Sequence, residues 1–210
     1  FFTLFGMLPF YLSGSIDSLT NAFFETMSGF TTTGATILDD IESLSHGMLF
    51  WRSLTQWIGG LGIVFFTIAV LPAFTSGGVQ LFSAESTGVT HDRTHPKINV
   101  MAKWLWTVYL ILTLAETILL MLGGMNLFDA VCQSFATTAT GGYSTKQASI
   151  SYWNSPFIEY VVAIFMLLSG VNFALFLMCL RGKVSRLLRD EELRWFLGSV
   201  AILTFLITLA

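Results

Sequence analysis

Long apolar runs broken by short polar segments set the pattern of this chain. Gly47 to Pro72, Val100 to Leu122 and Phe157 to Leu180 approach or exceed the roughly 20 apolar residues that a helix needs to cross a bilayer. Residues 1–12 read as the outer end of a fourth span and 191–210 as the start of a fifth. Between the spans lie two shorter apolar stretches, Leu19 to Phe30 and Phe128 to Thr138, each running directly into Thr- and Gly-rich sequence. A helix of about 12 residues rises only about 18 Å, too little for a hydrocarbon core of about 30 Å. Each is therefore expected to enter the membrane and return.

The pattern repeats without gaps at an offset of 108 residues (142 − 34). Asn21-Ala22 matches Asp129-Ala130, Glu25-Thr26 matches Gln133-Ser134, Thr32 matches Thr140, Gly34 matches Gly142, Thr36 matches Ser144 and Gly62 matches Gly170. The unit is span, half-helix, loop, span. Its two crossings return the chain to the starting side, so successive units share one orientation and can surround an axis along the membrane normal. The organisation expected is a first repeat over 1–72 with its first helix truncated, a connection over 73–99, a second repeat over 100–181, a connection over 182–190 and the start of a third repeat over 191–210. The chain opens on Phe1-Phe2-Thr3-Leu4-Phe5 without a charged leader and stops inside Leu203 to Ile207, which reads as a fragment of a longer polypeptide.

Composition supports the membrane reading: 54% of the 210 residues are hydrophobic and only 11% charged, with a mean hydropathy of +0.71. A net charge of −3 leaves neither a nucleic-acid footprint nor a strongly acidic face. Cys132 and Cys179 sit in apolar runs and read as buried thiols without a disulfide. The basic residues Arg93, Lys97, Lys103, Arg181, Lys183, Arg186, Arg189 and Arg194 fall on one side, against Lys146 on the other and Arg52 near a span's start. Counted near span ends, they make the 73–99 and 181–190 connections cytoplasmic. The half-helices and loops then face outward with Asp17, Asp39, Asp40 and Glu42, acidic groups that concentrate cations modestly.

The two loops carry the candidate chemistry. They read Ser28-Gly29-Phe30-Thr31-Thr32-Thr33-Gly34-Ala35-Thr36 and Thr137-Thr138-Ala139-Thr140-Gly141-Gly142-Tyr143-Ser144-Thr145. A ring of backbone carbonyls can replace a monovalent cation's hydration shell without formal charge. Carbonyls that point one way require backbone regions that glycine visits at little cost. Thr32, Thr33, Gly34, Thr140, Gly141 and Gly142 are the candidate filter residues, with Gly34 and Gly142 least tolerant of substitution. Each half-helix would aim a partial negative charge from its C-terminal end at the ion path. One Thr-Thr-Thr-Gly alone is an ordinary turn or cap pattern; two at matched positions carry the reading.

Other polar residues divide between function and packing. Glu25 and Gln133 occupy equivalent half-helix positions and are read as loop braces rather than ion ligands. Glu116, inside an apolar span, is a functional candidate by its cost there, with a helix-packing hydrogen bond the favoured alternative; Asn172 and Ser169 present the same choice. Gly59-Gly60-Leu61-Gly62 and Ser169-Gly170 mark either close helix packing or, at Gly62 and Gly170, a bend that widens a pore. His91 and His95 flank Asp92-Arg93 in a solvated loop and are not read as metal ligands; His46 is placed at an interface.

The two loops, with Phe24 to Thr36, Phe50 to Gly62 and Ser134 to Thr145 as their extended context, resemble the Trk/Ktr/HKT superfamily of potassium transporters, nearest its bacterial Trk branch. The resemblance covers essentially the whole chain. It implies an all-α integral membrane fold in which four such units surround one pseudo-fourfold pore, two of them present here. It also implies potassium as the transported substrate, no cofactor held by the chain, and a bacterial cytoplasmic membrane location. The partners implied are membrane lipid, the two remaining repeats of the same polypeptide, a second copy in a homodimer and a cytoplasmic nucleotide-binding regulatory subunit of the TrkA kind; nucleic acid is not among them. Within the superfamily a serine at the first filter position accompanies sodium permeation, so Gly34 favours potassium. The doublet Gly141-Gly142 permits an error of one position, which the ungapped repeat resolves toward Gly142. The superfamily's third and fourth loops, gating loop and lower-pore arginine have no residues here.

The reading is therefore half of a Trk-type potassium uptake pore, not an enzyme. The alternatives are a secondary transporter of another small solute, which predicts inverted repeats, a sodium-permeable member of the same superfamily, and a membrane enzyme or scaffold. No nucleophile and base pair, metal-ligand cluster or nucleotide motif supports an enzyme. The stretch Ser83-Ala84-Glu85-Ser86 and the basic 181–190 connection are candidate docking segments for a regulatory ring, with a solvated linker or a membrane-surface anchor as equal readings.

Overall fold

The computed structural model describes residues 2–62, 98–172, 175–176 and 190–209, and among them every regular element is helical. In chain order these are α1 (Phe2–Gly6) and α2 (Leu8–Leu12), α3 (Leu19–Phe30), α4 over residues 46–62, α5 (Ile98–Leu122), α6 (Leu127–Thr138), α7 (Pro156–Gly170) and α8 (Glu191–Leu209). A 3₁₀ turn at Ser149–Trp153 leads into α7. The segments around His91, His95, Cys179, Ser83 to Ser86 and most of the 73–99 and 182–190 connections lie outside the described residues.

Local chemistry starts and stops these helices. The Ser18 side chain accepts from the Asn21 amide at the head of α3, and Asn126 accepts from the Asp129 amide at 2.8 Å at the head of α6, each satisfying a backbone donor that a helix start leaves open. Pro156 opens α7, where a missing N–H is harmless. α5 runs 25 residues, about 37 Å at 1.5 Å per residue, long enough to cross a bilayer. α8 is also long and apolar enough by its 19 residues, and none of them is buried.

The expected Phe157–Leu180 span is not one unbroken helix. α7 ends at Gly170, Val171 is extended (ψ 143°), and helical backbone returns at 175–176. At Gly170 an added Cβ would come within 2.9 Å of the Phe196 ring of α8. α4, by contrast, continues unbroken through Gly59 and Gly60 to residue 62. A Cβ on Gly59 would run into the Phe30 carbonyl, and one on Gly60 would lie 3.0 Å from Ala139. Close packing explains those two glycines, whereas no described residue lies within 4 Å of a Cβ on Gly62.

α6 is held against α5 and α7 by Val108, Leu112, Leu120, Met125, Ala130, Ile158, Val161, Val162 and Phe165. A smaller cluster of Phe10, Ile16 and Ala22, with Met48 and Trp51 against it, joins α2, α3 and α4. In lipid, helices gain little from apolar burial alone and depend on close packing and interhelical hydrogen bonds. The two repeats are joined accordingly: Trp57 of α4 stacks on Phe135 of α6 at 5.1 Å, donates from Nε1 to Thr113 Oγ1 at 3.1 Å and accepts at its carbonyl from the Tyr109 hydroxyl at 3.0 Å.

Candidate functional site

Each half-helix ends in the same backbone motif. The Thr32 amide donates to the Gly29 carbonyl and the Thr33 amide to the Ser28 carbonyl, both at 2.9 Å; 108 positions on, the Thr140 amide donates to Thr137 at 2.9 Å and the Gly141 amide to Ala136 at 2.8 Å. This pair of bonds, one spanning five residues and one three, is the Schellman end of a helix, whose turning residue is left-handed and usually glycine. Here it is a threonine in both copies, Thr32 and Thr140, each at φ 53°. For a β-branched residue that conformation is a true outlier, costing about 1–2 kcal/mol.

Two residues later the chain is left-handed again, at Gly34 (φ 76°) and Gly142 (φ 84°), while Thr33 and Gly141 stay outside the positive-φ region. The loops meet at these residues: a Cβ on Gly34 would collide with the carbonyl oxygen of Gly141, and one on Gly141 would strike the side chain of Gln56. All six sequence-chosen loop residues thus fall in two adjacent turns. The segments after both loops also come together: Lys146 pairs with Glu42 at 3.1 Å and the Ile41 amide donates to Gln147 at 3.1 Å. Both repeats therefore return to one face and run in the same sense.

A buried polar frame holds the loops. Glu25, 1% exposed, accepts from Thr36 Oγ1 at 2.9 Å, from the Ile37 amide at 3.0 Å and from Arg52 Nε at 2.7 Å. Arg52, 2% exposed, also donates from Nη1 to the Ser144 carbonyl at 3.1 Å, with its guanidinium 3.6 Å from the Tyr143 ring centroid. The Tyr143 hydroxyl lies within hydrogen-bonding distance of the carbonyls of Glu25 (2.9 Å) and Ala35 (3.2 Å), and the Tyr143 amide donates to Gln56 Oε1 at 3.1 Å. Thr145 Oγ1 donates to Asp129 at 2.7 Å. Gln133, at the position equivalent to Glu25, has a different setting: its Nε2 approaches Thr137 Oγ1 at 3.4 Å and its buried Oε1 has no partner among the described residues.

Arg52, Gln56 and Tyr143 are the residues that sequence reasoning passed over. Arg52 was counted only among span-end charges, although an arginine inside an apolar run demands a partner, and Glu25 in the neighbouring half-helix carries the complementary charge. Glu116 is fully buried beside Thr137, with no hydrogen-bond partner for either carboxylate oxygen among the described residues. Ser169 is buried, also without a partner among the described residues, and Asn172 donates to Glu192 at 3.3 Å. His46 is exposed, its ring edge-on to Phe128. Cys132 is a buried free thiol. Beyond the loops, the hydrogen bond to Glu42 raises the Lys146 ammonium above the ordinary lysine value.

Fold and loops together define a helical membrane protein built on duplicated re-entrant units. Residues 4–210 match the TrkH family model, described as a cation transport protein, and the chain belongs to that family. It is 45% identical over 207 residues to the Trk system potassium uptake protein TrkH of Escherichia coli K12, covering 97% of this chain and 43% of that protein. It is 38% identical over 199 residues to TrkG of the same organism, covering 93% and 41%. The crystal structure of the potassium transporter TrkH from Vibrio parahaemolyticus matches with a TM-score of 0.82 at 36% identity, over 98% of this chain and 41% of that one. The chain thus spans less than half the length of these relatives.

Proposed function

We propose that this chain supplies two of four repeats of a potassium uptake pore, with Thr32, Thr33, Gly34, Thr140, Gly141 and Gly142 offering backbone oxygens to the ion. The observation that carries the reading is the duplicated left-handed alternation at 32/34 and 140/142, in two loops that touch at Gly34 and Gly141. Alternating handedness lets successive carbonyls face one side, and such oxygens dehydrate a monovalent cation without formal charge. The half-helix ends at Thr31 and Ala139 add the negative pole of their dipoles.

In this reading residues 1–72 and 100–181 are the two repeats, Glu25 and Gln133 support the loops, and Gly62 and Gly170 permit the pore to bend. The loops face outward and the basic connections lie in the cytoplasm of a bacterial cell, by the charge count. The named relatives belong to a Trk system, which supports a multi-component assembly: a homodimer with a nucleotide-binding regulatory subunit on the cytoplasmic side. No cofactor enters the account.

The test is uptake by a potassium-auxotrophic bacterium carrying the full-length protein, over a range of potassium and sodium concentrations. Gly34→Ser and Gly142→Ser are expected to lose potassium affinity or selectivity at normal membrane abundance. Unchanged uptake in both variants would make the loops structural turns and place the ion path elsewhere.

A further inference from the structure

Arg52 and Tyr143 are bound to each other across the repeat boundary, and neither follows from the duplication. The position equivalent to Arg52 is Tyr160, 72% exposed, and the position equivalent to Tyr143 is Ala35. The Tyr143 hydroxyl reaches the carbonyl of Ala35, its own counterpart in the first repeat. Ala35 follows Gly34 directly, and Tyr143 follows Gly142. Arg52, from the first repeat, donates to Ser144 of the second and sits over the Tyr143 ring, 3.6 Å from its centroid. Three of the attachment points, Ala35, Tyr143 and Ser144, therefore sit within two residues of a left-handed glycine, on the side leading away from the half-helix, and Glu25 within the half-helix supplies the rest.

We infer that Arg52 and Tyr143 are positioning residues that set the register of the second loop against the first, and thereby the potassium selectivity of the pore; this rests on the pore reading above. Neither touches the ion. The chemistry suits a fixed spacer: a guanidinium is planar, donates in a rigid fork and stacks on aromatic faces, properties that lysine lacks. Its charge is neutralised by Glu25 at 2.7 Å. Glu25 is in turn bonded to Thr36 and to the Ile37 amide of the first loop, so one arginine holds both loops at once.

The variants are Tyr143→Phe, which keeps the ring and removes only the hydroxyl, and Arg52→Lys, which keeps the charge facing Glu25 but loses the fork and the stack. Both are made in the full-length protein, alone and together, with Gly34→Ser and Gly142→Ser in parallel. Potassium and sodium uptake are measured in the auxotroph and normalised to protein in the membrane. Each single variant is expected to raise the potassium KM by up to roughly tenfold, the equivalent of one intramolecular hydrogen bond, and to lower the potassium-to-sodium ratio, with maximal rate retained. The double variant should do little more than the worse single one, because coupled residues are not additive. Unchanged KM and ion ratio in both single variants, a loss confined to membrane abundance, or independent multiplicative effects would overturn the inference. If the glycine variants alter selectivity and these do not, the positioning role fails alone; if the glycine variants also leave it unaltered, the pore reading fails with it.

Discussion

Thr32 and Thr140 occupy a backbone conformation that glycine would adopt at less cost. Replacing Thr32 by glycine relieves about 1–2 kcal/mol of left-handed strain and adds about 0.5–1 kcal/mol of unfolded-state entropy. The expected result is equal or slightly higher thermal stability of the purified protein, together with weaker potassium affinity in uptake; lower stability would contradict the strain argument. The left-handed glycines add a second case. Both have positive φ, and a Cβ on Gly34 also meets the Gly141 carbonyl of the second loop. Gly34→Ala is expected to cost backbone strain and to displace that loop, so thermal stability and potassium uptake should both fall below wild type; unchanged values would mean the two loops do not touch there. The glycine conformations were legible from the Thr-x-Gly pattern, since carbonyls facing one way require left-handed residues. The threonine conformations were not, because β-branched side chains disfavour that region and no propensity points to it.

At the level of elements, the half-helices are short because their ends are specified. Asn126 both accepts from the Asp129 amide and donates to its carboxylate at 2.8 Å, and Asp129 in turn accepts from Thr145 beyond the second loop. Asn126→Ala is expected to cost about 1 kcal/mol, read as a lowered melting temperature. The larger effect belongs to the buried pair. Arg52→Gln strands a buried carboxylate at Glu25, a loss of about 3–5 kcal/mol, so its membrane abundance should fall well below that of Arg52→Lys. Matched stability of the two would mean Glu25 needs no cation. The half-helices, their lengths and the 108-residue offset could be read from sequence because 12 apolar residues cannot span a bilayer. The ion pair could not be read from periodicity: Glu25 and Arg52 are 27 positions apart, and Tyr143 reaches Glu25 from 118 positions away. Equivalence in the repeat also misleads here, since Gln133 shares Glu25's position and none of its partners.

Across the described residues, the repeats are joined at three levels: by Trp57 and Tyr109 deep in the bundle, by Arg52 and Tyr143 beside the loops, and by Lys146 with Glu42 beyond the loops. This last pair is partly exposed, with relative side-chain accessibilities of 22% and 41%, so it contributes about 0.2–1 kcal/mol at most. A raised lysine value means this contribution is present below the ordinary lysine value of about 10.4 and lost as pH climbs through the higher folded value. Stability between pH 6 and 9 is therefore expected to be the same for Lys146→Gln and wild type within that small margin. At Gly170, where α7 ends, the absence of a side chain admits the Phe196 ring of α8.

The central claim is that the two touching loops line the path of the ion. The most direct measurement is anomalous diffraction from crystals of the full-length protein grown with thallium or rubidium in place of potassium. The account predicts a peak beside the loops, in contact with carbonyls from residues 32–34 and 140–142; well-ordered loops with ion peaks only elsewhere in the molecule would contradict it.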